Sequence, residues 1–509
     1  MDVTQILMLI TILVYLAAMV GIGAVLAKQN QTTDDFYLGG RTLGPLVTAM
    51  SAEASDMSSW LLMGLPGVAY LSGTADAAWT AIGLAIGTYV NWLVVAKRLR
   101  NYTHVCGNST TLPLFFSNRY RDNKRILSVI AALLIIIFFV PYTASGFAAC
   151  GKLFANLFGM DYLPAMLISA IVIVAYTTLG GFLAASTTDF VQSIVMTIAI
   201  VVVFGFGISK VGSFSAVMDN AKSMAGYFSL THTHDVAPGT ASPYSLLQIF
   251  STLAWGLGYF GMPHVLLRFM AIGDANKLKL SRRVATVWVV ISMAVSVFIG
   301  VIGNAMTKAG VLPTLKDPET IILVVADLIS KHGVLATIIA GLILAGILAA
   351  TTSTADSQLL AASSSASQNI LKEVFMKDMS EKTGMLIARI TVLVIALIGV
   401  FIARNPDSSV FQIVSFAWAG FGASFGPLVL LALFWKRSTF QGALCGMVSG
   451  GVMVFVWKFL FRPMGGALGI YELLPAFLLG LAVNVIVSLL TPAPSREVQD
   501  EFDKVASMK

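Results

Sequence analysis

The chain has 509 residues, 57% of them hydrophobic and 11% charged, with a formal net charge of +7. A soluble domain carries about 25% charged residues, and a chain of this length could not hide so much apolar surface, so a water-soluble fold is excluded. The cysteines, Cys106, Cys150 and Cys445, stand far apart and match no zinc or redox spacing, so free thiols are expected.

A bilayer-crossing helix needs about 20 apolar residues. Such runs recur thirteen times, over residues 5–27, 44–70, 77–98, 126–156, 162–182, 187–210, 246–270, 281–307, 334–366, 384–403, 410–434, 438–460 and 469–491. The expected fold class is therefore an all-α multi-pass membrane protein. The first run follows Asp2 rather than a basic segment and is too long for a signal-peptide core, so it reads as a membrane helix. The fifth and sixth runs are joined by a short Gly180-Gly181 turn. The polar loop Ser213–Pro243 carries some structure of its own, Pro318 to Ser330 reads as an amphipathic helix, and the charged tail after Pro492 as a helix or as disordered chain.

Cytoplasmic loops collect Lys and Arg. With the N-terminus outside, 23 of the 32 basic residues fall on inner segments, among them Arg98, Arg119, Arg121, Arg268, Arg282, Arg283, Lys377, Lys436 and Lys509. The C-terminus is then cytoplasmic, in a plasma membrane. The net positive charge is a topology signal and a partner for lipid headgroups, not a nucleic-acid groove.

An ionisable residue inside a span is a functional hypothesis, because burying it in lipid costs several kcal/mol. Glu53, Asp56, Asp189 and Asp356 qualify; a helix cap or an internal water pocket is the other reading for each. The second span places Ser51, Glu53, Ser55, Asp56, Ser58 and Ser59 before Trp60. Such a stretch is tolerated only against protein or a cavity, and points to a broken helix, with a continuous polar helix as the alternative. The seventh span reads Trp255-Gly256-Leu257-Gly258-Tyr259-Phe260-Gly261-Met262-Pro263-His264, a second weak helix. The two interruptions lie five spans apart. An odd offset turns the second unit upside down, so spans two to six and seven to eleven form an inverted repeat, and paired interruptions mark a transport site. The boundaries are an extra helix and first inner loop at 1–43, one repeat at 44–210, an outer loop at 211–245, the second repeat at 246–434, two further helices at 435–491 and a tail at 492–509.

The ninth span carries Ala350-Thr351-Thr352-Ser353-Thr354-Ala355-Asp356-Ser357. Ala350, Ser353, Thr354 and Ser357 share a helix face, and a carbonyl with two hydroxyls offers hard oxygen ligands for a small cation. Hydroxyls bonded to their own helix are the competing reading. Asp189, near the inner end of the sixth span, matches Asp356 in depth, which suggests a second cation site or a proton-linked exit.

These stretches, with Phe36–Arg41, Leu179–Ala184, Phe416–Gly422 and Lys436–Gly450, resemble the sodium/solute symporter family, and most closely its sodium/proline symporters, from about residue 36 to 490. The resemblance implies the leucine-transporter-type five-plus-five inverted repeat with extra helices, and Na⁺-coupled uptake of a small amino acid, L-proline, by alternating access. It implies sodium ligands at the carbonyls of Ala54, Met57 and Ala350 and the hydroxyls of Ser353 and Thr354, with Asp56 and Ser58 linked to sodium. A further cation site would use Asp189, Asp356 and Ser357. Substrate contacts would include Glu53, Ser55, Ser59, Trp60, Tyr142, Trp255, Gly258, Tyr259 and Pro263. Glu53 and Ser59 stand where the family pattern has glycines, Met262 where it has glutamine, and Asp356 where it has a hydroxyl residue. Other readings are another amino acid, a carboxylate or a sugar as substrate, H⁺ or Li⁺ as coupling ion, or a membrane sensor. No cofactor beyond Na⁺ is expected, and a monomer suffices. His104, His232, His234, His264 and His332 are scattered, and no nucleophile–base pair points to an enzyme; His232 and His234 could bind metal weakly.

Overall fold

The computed structural model describes residues 2–28, 32–375, 380–405 and 409–508. Lys377 and Lys509, both counted above on the inner side, lie outside the described residues. Among the described residues ten helices are long and apolar enough to cross a membrane, from Val3–Leu26 to Leu473–Leu490. The remaining three of the thirteen expected crossings are made of shorter pieces.

The second span is Pro45–Asp56, then a break at Met57, then a π-turn at Trp60–Gly64 and a helix at Leu65–Ser72. Met57 leaves helical geometry at φ −77°, ψ 69°. Serine hydroxyls that compete for backbone partners weaken a helix at such a point. The seventh span is Leu246–Leu253, a 3₁₀ stretch at Ala254–Gly261, and Pro263–Ala271. Three glycines lower its helix propensity. Pro263 restricts the residue before it to extended geometry, and Met262 adopts ψ 107°. The fifth and sixth spans are one chain of helix, Tyr162–Val211, kinked where Gly181 takes φ 65°.

The third span packs tightly on the 3₁₀ stretch. A Cβ on Gly83 would lie 2.5 Å from the Leu253 carbonyl oxygen, and Gly87 meets Gly256 in the same way. Small residues one turn apart let two backbones approach inside a membrane. Apolar side chains that other helices do not cover, such as Leu393, Leu397 and Phe401 on the tenth span, face outward, as lipid contact requires.

The loop after Val211 forms the helix Phe214–Ser223 and an antiparallel hairpin of His232–Asp235 with Thr240–Pro243. The expected amphipathic helix is Ile321–Ser330, with Ile321, Ile322, Val325 and Ile329 buried. The tail takes the helical alternative. Arg496–Ser507 buries Val498, Phe502 and Val505, and Arg121 holds it through Glu497 at 3.0 Å and Glu501 at 2.8 Å. Cys106, Cys150 and Cys445 are free thiols.

Candidate functional site

The break in the second span meets the ninth span at its oxygen-rich face. The Ser353 hydroxyl lies 2.8 Å from the Ala54 carbonyl and 3.2 Å from the Ala350 carbonyl. Thr354 is buried beside it, and its hydroxyl has no hydrogen-bond partner. Met57 is the residue at which the helix opens. Four of the five expected sodium ligands therefore come from residues in contact or adjacent in sequence, and Ser353 ties the two spans together. Neutral oxygens brought together by two helices suit a hard cation.

Aromatic side chains close around the same break. The Asp56 carbonyl accepts the Trp60 indole N–H at 3.1 Å and the Tyr142 hydroxyl at 3.3 Å, while its carboxylate accepts the Tyr259 hydroxyl at 2.6 Å. Trp255 faces Trp60 at 6.2 Å between ring centroids and stacks on Tyr471 at 5.0 Å. The Trp418 indole donates to the Trp255 carbonyl at 2.8 Å, and Gly258 leaves it the room to do so. Gly258 thus has a packing reason as well as the expected substrate role. Pro263 opens the helix that follows the 3₁₀ stretch. The Ser58 hydroxyl accepts from the Trp60 backbone N–H at 3.4 Å, and Ser59 is buried with its hydroxyl unpartnered.

Two expected substrate residues turn elsewhere. Ser55 donates to the Ala52 carbonyl of its own helix at 3.1 Å. Glu53 accepts from the Trp92 indole of the third span at 2.8 Å.

The inner cluster differs from the expectation through one residue. Arg268 was counted with the basic residues of the inner side. It is instead 1% exposed, and its guanidinium reaches Asp189 at 3.2 Å, Ser357 at 2.6 Å, Ser51 at 3.0 Å and the His264 carbonyl at 3.1 Å. The set expected to hold a second ion, Asp189, Asp356 and Ser357, already surrounds a cation belonging to the chain. Asp356 touches the cluster through the Ser357 hydroxyl at 3.2 Å. Ser357 also donates to the Ser353 carbonyl at 2.9 Å, which links the cluster to the sodium face.

Polar contacts join the elements at both ends of the central region. At one end Glu319 accepts from Lys152 at 3.0 Å, Ser409 at 2.9 Å and the backbone N–H groups of Val410 and Phe411, both at 3.1 Å. A carboxylate at a helix N-terminus is stabilising, and this one pins the outer-loop helix to the start of the eleventh span. A cavity of about 410 Å³ adjoins this contact, lined by Gly64, Lys152, Glu319 and Phe411. At the other end Arg41 donates to the carbonyls of Met270 at 2.6 Å and Ser109 at 2.7 Å. Tyr37 bonds to Ser363 at 3.1 Å and Ser367 at 2.8 Å. Among the described residues no group of three His, Cys, Asp or Glu is placed to hold a metal; His234 contacts the Ala225 carbonyl at 2.9 Å.

A helix broken at mid-span, a second one broken five spans later, and an oxygen-rich face of the ninth span set against the first break define a multi-pass secondary transporter. The chain belongs to the sodium:solute symporter family, whose family model matches residues 36–450. It is 41% identical over 502 residues to the sodium/proline symporter of Salmonella typhimurium, covering 98% of this chain and 96% of that one. It is 40% identical over 489 residues to the osmoregulated proline transporter OpuE of Bacillus subtilis, covering 96% of each chain. The high-affinity proline transporter PutP of Bacillus subtilis is 41% identical over 482 residues, 95% of this chain and 98% of that one. Among solved structures, a Na⁺-coupled sialic acid symporter in a substrate-bound outward-open state superposes with a TM-score of 0.79 at 19% identity, over 96% of this chain and 99% of that one. Mhp1, a nucleobase-cation-symport-1 family transporter in a closed conformation, gives 0.55 at 13% identity, over 92% and 98%. The fold is the leucine-transporter-type inverted repeat with extra helices.

Proposed function

We propose that this chain takes up L-proline by coupling it to inward Na⁺ flow through alternating access. The proline transporters named above, about as similar to this chain as one another over nearly its whole length, support the substrate. The observation that carries the coupling is the Ser353 bridge to the Ala54 carbonyl at the helix break. Na⁺ at Ala54, Met57, Ala350, Ser353 and Thr354 replaces that bridge and orders the break, with Asp56 and Ser58 holding its shape. Proline lies against Trp60, Tyr142, Trp255 and Tyr259, with Ser59, Gly258 and Pro263 at the edges. Aromatic faces hold the ring and attract the secondary ammonium, and free N–H groups at the break take the carboxylate. Trp60, Trp255 and the Glu319 contact form the outer closure.

The repeats are assigned to 44–210 and 246–434, with the N-terminus outside and the C-terminus in the cytoplasm, as the distribution of basic residues favours. In this reading the inner cluster keeps Arg268 as its resident cation, and a Na⁺ enters between Asp189, Asp356 and Ser357 only where the guanidinium swings out. The chain moves a solute and makes no covalent bond. A single chain holds the whole site.

The substrate is tested by ligand-dependent thermal stability, since a ligand that binds the folded state raises it. Proline raises the melting temperature in Na⁺ and not in K⁺, and other amino acids, carboxylates and sugars do not. A sugar or carboxylate that stabilises better than proline overturns the assignment, and Glu53, Ser59 and Met262 are the positions to examine then.

Glu319→Ala is expected to unlatch the outer side. Each charged hydrogen bond is worth about 1.5–3 kcal/mol, so uptake falls about tenfold or more while outside proline still binds. Parallel uptake and binding measurements check this.

A further inference from the structure

The helix Arg496–Ser507 carries four acidic and two basic residues, and the surface beneath it is basic. Arg121 pairs with Glu497 at 3.0 Å and with Glu501 at 2.8 Å, and Lys436 pairs with Asp503. The side chains of these pairs are partly exposed. Ion pairs of that kind are individually weak and are screened by salt. Val498, Phe502 and Val505 lie on one face of the helix and are buried. The Phe502 ring meets two guanidinium groups, with Arg98 at 4.9 Å and Arg119 at 5.5 Å from its centroid.

Arg119 is 1% exposed, and neither of its terminal nitrogens has a hydrogen-bond partner. Its Nε donates to the Ala432 carbonyl at 3.0 Å. The rest of the guanidinium lies against the rings of Tyr102 at 5.3 Å, Tyr120 at 5.1 Å and Phe502. Ring contacts of this kind recover only part of the hydration a buried cation gives up. Lifting the helix exposes Phe502 but returns water to Arg119, so the two terms oppose each other. The contact is therefore held by a small balance. Residues 491–495, which include Pro492 and Pro494, form no helix or strand, so the helix can lift without unwinding the last span.

The covered surface joins two parts of the chain. Arg98 and Tyr102 lie on the helix Ala96–Val105, which continues the third span, and Arg119 ends the helix Leu112–Arg119. Both arginines donate to the last turn of the eleventh span, Arg98 to the Leu433 carbonyl and Arg119 to that of Ala432. Lys436 follows the same span. The third span also packs backbone to backbone on the 3₁₀ stretch of the seventh, through Gly83 and Gly87. In the repeat assignment above, the third span belongs to one repeat and the eleventh to the other. A helix seated across both resists the motion of one against the other.

We propose that the helix Arg496–Ser507 is a detachable clasp. Seated on Arg98, Arg119, Arg121 and Lys436, it ties the third span to the eleventh and slows the transport cycle, and salt releases it. This rests on the alternating-access reading above and concerns the rate of the cycle, not its ion or its substrate.

Two readouts test it. Docking is read without transport: Cys106 is buried beside Glu501, and Cys150→Ser with Cys445→Ser leaves it as the one thiol. Its labelling by N-ethylmaleimide rises as choline chloride goes from about 0.1 M to 1 M, where the Debye length falls from about 10 Å to 3 Å. Labelling is high at both in a protein lacking residues 496–509. Rate is read as initial proline uptake into proteoliposomes at saturating Na⁺ and proline, with the same choline chloride on both sides. The wild-type rate rises about two- to tenfold with salt, the worth of three exposed ion pairs, and the deletion has the high rate at both. Arg121→Glu acts like the deletion, and adding Glu497→Arg and Glu501→Arg restores the low rate. This charge exchange and Phe502→Ala carry the test if the deletion does not fold. Labelling indifferent to salt and to Arg121→Glu overturns the clasp. A rate indifferent to both, or a folded deletion slower than the wild type, overturns its slowing of the cycle. Labelling that shifts while no protein shows sodium-dependent proline uptake overturns the coupled reading and leaves only the detachable contact.

Discussion

Ser353→Ala and Thr354→Ala are each expected to lower the apparent Na⁺ affinity of uptake by about 10- to 100-fold. A lost oxygen partner for a buried polar group or ion costs about 1–3 kcal/mol, and each 1.4 kcal/mol is about tenfold. The two variants differ without sodium. Ser353 bridges the Ala54 carbonyl at 2.8 Å, so its removal also loosens the ion-free protein. The Thr354 hydroxyl has no partner, so Thr354→Ala leaves the sodium-free melting temperature unchanged and removes the sodium-dependent gain. Initial uptake rates over a range of sodium concentrations, with melting curves in Na⁺ and K⁺, read both effects. An unchanged Na⁺ dependence in Thr354→Ala removes it from the ligand set.

Arg268→Met is expected to be the most destabilising single change near the site. Removing one partner of a buried ion pair costs about 3–5 kcal/mol, because the remaining charge is left unpaired. Here both Asp189 and Asp356, which are fully buried, would be left. Adding Asp189→Asn neutralises one of them and recovers part of the loss, and the four proteins form a double-mutant cycle. Melting temperature and the yield of monodisperse protein are the readouts. An Arg268→Met protein as stable as the wild type would mean that neither carboxylate is charged in the folded state.

In the proposed cycle these regions are connected through a short chain of hydrogen bonds. Ser353 touches the break, Ser357 sits one turn further along the same helix and contacts Arg268, and Arg268 reaches Asp189 and Ser51. A sodium ion at the first of these is expected to shift the others. By linkage, proline raises Na⁺ affinity by the factor by which Na⁺ raises that of proline.

The crossings and both interruptions were legible because polar and glycine-rich runs inside apolar segments violate what lipid allows. Ser353 and Thr354 were legible from helical spacing. Arg268 was not: a basic residue at the end of an apolar run has the same sequence appearance whether it faces cytoplasm or a buried carboxylate. Glu53 stood out as an acid, but its turn toward Trp92 is a long-range contact that no periodicity encodes. Tyr142 was visible only through family resemblance, since an aromatic in a membrane helix is more often packing. Glu319 was read as part of an outer helix start, and its grip on the eleventh span is tertiary.

The most direct test is proline uptake into proteoliposomes with an inward sodium gradient, with equal sodium on both sides, and with potassium throughout. The membrane potential adds about 2.3 kcal/mol per charge per 100 mV, so an inside-negative potential increases accumulation further. Concentrative uptake only with the gradient, shifted to higher sodium concentrations in Ser353→Ala, is the expected result. Equal accumulation under all three conditions would contradict sodium coupling, and a gradient that accumulates another solute but not proline would contradict the substrate.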